Sequence, residues 1–250
     1  MASIKPELDM QLKRQAMWLK ESWMWLLEKK VLSSKEGKST AGLKALDVGC
    51  GAGLVMEILG ELLDVKGVDI DPGMVDEARK RGFDVSQADA LNLPYEDSSF
   101  DIVYCSFLLL WVRDPVKAVS EMKRVSKRWV LALAEPDFGA RIDYPENLAK
   151  LTQLIIQGMR EDGGDPTIGR KLRSVFGACG LKADIGVHPG VWDLDKLYAE
   201  TMDEWRWIDM TVNVGGRRED LSTLRTAWID ALKKGSLFQF NPFFYAFAEK

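Results

Sequence analysis

Between residues 43 and 134, short apolar runs alternate with amphipathic segments, and few folds accept that order. Leu43–Val48, Val65–Ile70, Phe83–Ala88, Phe100–Ser106 and Arg128–Ala134 have the length and apolar character of buried strands. Leu54–Leu63, Gly73–Arg81 and the segment from Asp114 to Lys127 carry helical spacing between them. Asp71 before Pro72 and Asp114 before Pro115 each place a capping carboxylate ahead of a first-turn proline. Parallel strands need long crossovers, usually helical, and those helices cover the sheet on both faces. The alternation therefore predicts an α/β fold around a parallel sheet.

The flanks are less regular. Pro6 to Val31 reads as an amphipathic helix, and Ser33–Ala41 as a polar linker. After Pro136 the spacing predicts helices over Pro145–Arg160 and Ile168–Cys179, the latter stopped by Gly180. A weak strand follows at Leu181–Val187, then helices at Asp193–Met210 and Glu219–Lys234. The aromatic stretch Phe238 to Phe247, broken by Asn241-Pro242, reads as a last strand with a bulge or turn. The 250 residues form one domain in this reading, with an N-terminal helical cap (1–40), a ligand-binding core (41–137) and later helices and strands (138–250).

Composition removes several functions. The 34 basic against 38 acidic residues give a net charge of -4, which disfavours nucleic acid as a partner without excluding a local basic patch. With the single histidine His188, a His-rich metal site is excluded, and no metal is expected. The three cysteines Cys50, Cys105 and Cys179 form no C-x-x-C pair, which fits a reducing, cytoplasmic location. No apolar run approaches the roughly 20 residues that span a bilayer, and residues 1–8 carry no signal-peptide core. Oligomeric state is left open.

The chemistry is concentrated in Asp47-Val48-Gly49-Cys50-Gly51-Ala52-Gly53, between the first strand and the next helix. Glycines there permit a sharp turn and close approach of a ligand to the main chain. A nicotinamide fingerprint would need glycine where Leu54 stands, and a phosphate loop would need Gly-Lys-Ser/Thr. The carboxylate of Asp47 suits an ammonium better than a pyrophosphate. Asp69 ends the second strand and Asp89 follows the third. Ligands of open parallel sheets bind at the carboxyl ends of strands, so these acids converge with the glycine loop. A ligand with an amino-acid part, a ribose and an adenine uses all three.

Four segments now carry a resemblance: Asp-Val-Gly-Cys-Gly-Ala-Gly at 47–53, Gly-Val-Asp at 67–69, Ala-Asp-Ala at 88–90 and Ser-Phe-Asp-Ile-Val at 99–103. In this order and spacing the chain resembles class I S-adenosylmethionine-dependent methyltransferases, nearest the small type 11 branch acting on quinones, sterols and other metabolites. The resemblance implies a Rossmann-like, doubly wound, seven-stranded and mostly parallel sheet whose last strand is antiparallel. It implies S-adenosyl-L-methionine as cofactor. Gly49, Cys50, Gly51 and Gly53 would lie against the methionine part, and Asp47 would hold the α-amino group. Asp69 would take the ribose, Ile70 would lie on the adenine, and Asp89 with the Ala90 amide would read its edge. Cys105 and Ser106 would line the floor near the sulfonium. Residues 138–250 would lie on the acceptor side.

Catalytic residues stay unknown. Many relatives carry histidine late in the segment after the fourth strand, where this chain has Leu110 and Trp111. Glu135, Asp137 and Tyr144 are the remaining acid–base candidates, with solvent exposure or helix capping the competing reading. The aromatic residues Trp18, Trp23, Trp25, Trp192, Trp205, Trp207 and Trp228 suit either an acceptor wall or a core. Methyl transfer to a small-molecule acceptor leads. Methylation of tRNA or protein, and a non-catalytic S-adenosylmethionine-binding regulatory or scaffold module, are the alternatives.

Overall fold

The computed structural model describes residues 6–32, 42–216 and 218–250. The linker expected at 33–41 lies outside them. Cα packing divides the chain into two compact units: Met1–Glu135 with Lys171–Gly186 and Tyr245–Lys250, and Pro136–Arg170 with Val187–Phe244.

The first unit is built on a seven-stranded sheet. Its strands are β1 (Lys44–Val48), β2 (Asp64–Asp69), β3 (Val85–Gln87), β4 (Phe100–Cys105), β5 (Ser126–Pro136), β7 (Asp184–Val187) and β9 (Phe243–Glu249). They lie in the order β3-β2-β1-β4-β5-β9-β7. Strands β3, β2, β1, β4 and β5 are parallel neighbours, and one strand of the seven runs antiparallel. The order reverses beside β1, which leaves a crevice at the carboxyl ends of β1 and β4. This is the Rossmann-like architecture expected from the sequence.

Central strands read as continuous apolar runs because both faces are covered. Ala45, Leu46, Val48, Ile102, Val103, Val130 and Leu131 have no exposed surface. Helices α2 (Leu54–Leu59), α3 (Pro72–Lys80), α4 (Pro115–Val125) and α6 (Leu172–Ala178) flank the sheet, and α1 (Pro6–Leu26) continues into a π-helical turn at Leu27–Leu32. Both predicted caps form: Asp71 accepts Gly73 N–H at 2.7 Å, and Asp114 accepts Lys117 N–H at 2.9 Å. Gly67 lets α2 sit close on β2, since a Cβ there would fall 2.7 Å from Met56 Sδ and 2.8 Å from Cys50 Sγ.

The second unit holds α5 (Ala149–Glu161), α7 (Leu194–Val212), α8 (Ser222–Lys233) and a two-stranded antiparallel ribbon of β6 (Ile142–Tyr144) and β8 (Phe238–Phe240). The single last strand expected over Phe238–Phe247 is therefore two strands in different sheets, parted at Asn241-Pro242. Proline supplies no N–H for a ladder, so the chain changes sheets there. Trp205 and Trp228 are buried edge-to-face at 5.8 Å, and Trp192 and Trp23 are also buried, the core reading of these residues.

Candidate active site

The site lies on the first unit, where β1, β2 and β4 end. Gly49 N–H and Cys50 N–H both donate to Val68 O, at 2.8 and 2.9 Å, which pins the glycine loop to β2. Gly49, Gly51 and Gly53 have φ of 75°, 52° and 83°. At Gly49 the requirement is doubled, because a Cβ would also sit 2.6 Å from Leu108 Cδ1. At Gly51 a Cβ would meet nothing within 4 Å, so the loop presents bare main chain to open space there.

Asp69 braces this loop as well as ending β2. Its Oδ2 accepts Gly51 N–H at 2.8 Å, and its Oδ1 accepts Asp71 N–H at 2.9 Å. Burial nevertheless raises its carboxyl above the usual range, against these hydrogen bonds. Asp47 is deeper, 1% exposed, with Oδ2 buried and unpartnered. Burial pushes its carboxyl well up, and the neighbouring Asp69 adds to the shift. Tyr104 stands near enough to oppose that shift, by more than Asp69 adds to it, yet its buried Oη lacks a well-formed hydrogen bond. A buried carboxylate in this condition gains most from a cation that also donates hydrogen bonds.

The remaining predicted residues fall around the same edge. Ile70 is 65% exposed, an apolar side chain held open by the backbone, with its carbonyl accepting Gln87 Nε2 at 3.0 Å. Asp89, two residues past β3, is exposed and shapes its turn by accepting Leu91 N–H at 2.9 Å. Ala90 beside it is half-buried. Cys50 and Cys105 are buried, and burial raises both thiols, so neither is a ready nucleophile. Ser106 holds a buried, unpartnered Oγ directly after β4.

Two contributors escaped sequence reasoning. Tyr104 shares the Asp47 recess, and Leu108 closes over Gly49; neither carries a sequence signal beyond being apolar. Glu135, an acid–base candidate from the sequence, takes a structural place. It is fully buried, with Oε1 accepting Leu108 and Leu109 N–H at 3.1 and 2.9 Å and Oε2 accepting Leu110 N–H at 3.2 Å. Burial outweighs these bonds and raises its carboxyl to about 8. It clamps the turn after β4, neither exposed nor capping a helix. Asp137, in the second unit, is likewise buried, paired with Arg170 at 2.5 and 2.8 Å. Tyr144 is exposed and His188 buried.

The arrangement brings together an orphaned buried carboxylate, a bare glycine loop, a carboxylate at the end of β2 and an exposed apolar side chain beside it. Residues 46–130 match the family described as "Methyltransferase domain". A demethylmenaquinone methyltransferase of Renibacterium salmoninarum is 38% identical over 122 residues, 46% of this chain and 52% of that protein. One from Staphylococcus aureus is 36% identical over 95 residues, 34% of this chain and 39% of that protein. The chain thus spans about half or less of the length of these curated relatives. Phosphoethanolamine N-methyltransferase 2 of Haemonchus contortus, solved with S-adenosyl-L-methionine, superposes with a TM-score of 0.58 at 17% identity, over 92% of this chain and 52% of that one. The YcgJ protein of Bacillus subtilis gives 0.53 at 21% identity, over 87% and 95%. Residues 46–130 thus resemble a methyltransferase domain, and the solved structures share the fold.

Proposed function

We propose that this chain transfers a methyl group from S-adenosyl-L-methionine to a small-molecule acceptor in the cytoplasm. The observation that carries the reading is the buried, unpartnered Asp47 Oδ2 behind a glycine loop braced by Asp69. Asp47 holds the α-amino group, directly or through water. Gly49, Cys50, Gly51 and Gly53 shape the main chain that receives the methionine part. Asp69 has lone pairs left for the ribose hydroxyls after its two backbone bonds. Ile70 lies along the adenine, Asp89 and the Ala90 amide read its edge, and Cys105 and Ser106 form the floor near the sulfur.

The bound cofactor supplies an electrophilic methyl group for in-line displacement. The protein's part is to align the reactants and keep water out, which accounts for much of the acceleration such a step needs. Glu135 is assigned no proton transfer, because both its oxygens are engaged by the turn that follows β4. The relatives named for quinone methylation support a small metabolite as acceptor. Among the described residues no helix is long and apolar enough to cross a membrane.

The test is transfer of label. The protein is incubated with methyl-labelled cofactor and a cell extract, then split into metabolites, RNA and protein. Label in the metabolite fraction is expected. Label confined to RNA or protein would refute the small-molecule reading, and no transfer at all would favour a binding module.

A further inference from the structure

Six carboxylates are buried among the described residues: Asp47, Glu121, Glu135, Asp137, Asp143 and Glu204. Five of them show how this chain keeps a carboxylate away from water. Glu121 accepts from Arg124 Nη2 at 2.8 Å, and Asp137 from Arg170 Nη2 at 2.8 Å. Asp143 and Glu204 share Arg141, at 2.8 and 3.4 Å. Glu135 accepts the Leu108, Leu109 and Leu110 amides at 2.9 to 3.2 Å. Asp47 has neither an arginine nor an amide, and its Oδ2 is buried without a hydrogen bond.

Its neighbours do not make up for the missing partner. The ionisable groups that face Asp47 are Tyr104 and Cys105 on β4, Cys50 in the glycine loop and Asp69 at the end of β2, with Glu135 beyond Cys105. All of them are acids. Burial raises the Tyr104 phenol and both thiols, which leaves these three neutral, and Asp69 brings only a charge of the same sign. A bare negative charge is costly in such a place, and a carboxyl there keeps its proton instead. The recess nevertheless borders open surface. Gly49 and Ser106, which follow β1 and β4, are half-buried, as is Gly51, where the loop meets open space.

We propose that Asp47 carries a proton in the ligand-free protein and gives it up to solvent when the ammonium of the cofactor's methionine part arrives, so that cofactor binding releases a proton. The carboxyl O–H breaks and its proton passes to the buffer. The ammonium keeps its own hydrogens and donates to the bared oxygen, directly or through water. The two opposite charges then appear together, each compensating the other where water is scarce. A nucleoside without an ammonium gives the carboxyl no cause to ionise. The inference rests on the cofactor reading of this site and adds to it which form of Asp47 the cofactor meets.

The probes are S-adenosylhomocysteine, which has the ammonium without the sulfonium charge, and methylthioadenosine, which has the ribose and adenine but no amino-acid part. Each is titrated calorimetrically into the full chain at about pH 6, where the amino group already holds its proton, in buffers of different ionisation enthalpy. The dependence of the observed heat on the buffer counts the protons exchanged. S-adenosylhomocysteine is expected to release a proton and methylthioadenosine none. Asp47→Asn keeps the shape and has no proton to give, so it should bind S-adenosylhomocysteine about tenfold or more weakly, the effect of losing a hydrogen bond to a charged group, with the release gone. Should that variant misfold, the unaltered protein decides: its affinity for S-adenosylhomocysteine should rise with pH between about pH 5 and 7, and a flat profile overturns the inference. Equal exchange for the two probes, or a release that persists in Asp47→Asn, also overturns it and leaves the cofactor reading standing. A protein that binds neither compound overturns that reading, and this inference with it.

Discussion

Asp69 serves two ligands with one carboxylate, the Gly51 and Asp71 amides in the protein and, in our proposal, the ribose. Asp69→Ala should therefore weaken S-adenosylmethionine binding by about 10- to 100-fold and also cost roughly 1 kcal/mol of stability, the scale of lost hydrogen bonds to a half-buried and an exposed amide. Calorimetry and denaturant unfolding measure the two separately. A variant that loses stability and keeps full affinity would remove Asp69 from the ribose. Its place at a strand end was legible from the order of segments; its brace on the loop was not, since that depends on how the glycines turn. Glu135 was less legible still, because no local pattern says that three consecutive amides converge on it. Burial raises its carboxyl to about 8, so the native state holds this proton more tightly than the unfolded chain. The stabilising contribution is then complete below about pH 4.3 and drains away as pH rises through 8. Unfolding free energy measured between pH 6 and 9 should fall by roughly 1–3 kcal/mol more in the unaltered protein than in Glu135→Gln. Parallel pH profiles would contradict the assignment.

Helix α4 shows how an element is tied to its neighbours. Its capped start was read from Asp114-Pro115, and its tie from the far end was not. Glu121 Oε2 accepts Leu93 N–H at 3.0 Å and Arg124 Nη2 at 2.8 Å, while Arg124 holds the carbonyls of Leu93 and Tyr95 at 2.9 and 2.7 Å. The Arg124 hydrogen bond brings the Glu121 carboxyl down to about 2. A lowered carboxyl stabilises above its unfolded value near 4.3, and that contribution is lost as pH falls toward 2. Glu121→Gln should cost about 2 kcal/mol at pH 7 and little at pH 2, read from unfolding curves at each pH. The same cost at both pH values would show the charge to be irrelevant. Strand β6 was missed for a definite reason. Ile142 and Tyr144 are exposed and Asp143 is buried, so its alternation is the reverse of the apolar-in pattern that identifies a strand.

At the scale of the whole molecule, what could be read divides as the chain does. The first unit follows rules that leave local marks: parallel strands buried on both faces, proline-started helices, glycines where β1 turns, acids where β2 and β3 end. The second unit is organised by a polar network among Arg141, Asp143, Glu204 and Gln239, residues up to 98 positions apart whose pairing no spacing announces. The account depends on one cofactor seated at the carboxyl edge of β1, β2 and β3. A crystal structure with S-adenosylhomocysteine at saturation tests this directly. It should place the α-amino nitrogen at Asp47, directly or through one water, and the ribose hydroxyls on Asp69. Density for the compound elsewhere, or none beside these carboxylates, would contradict it.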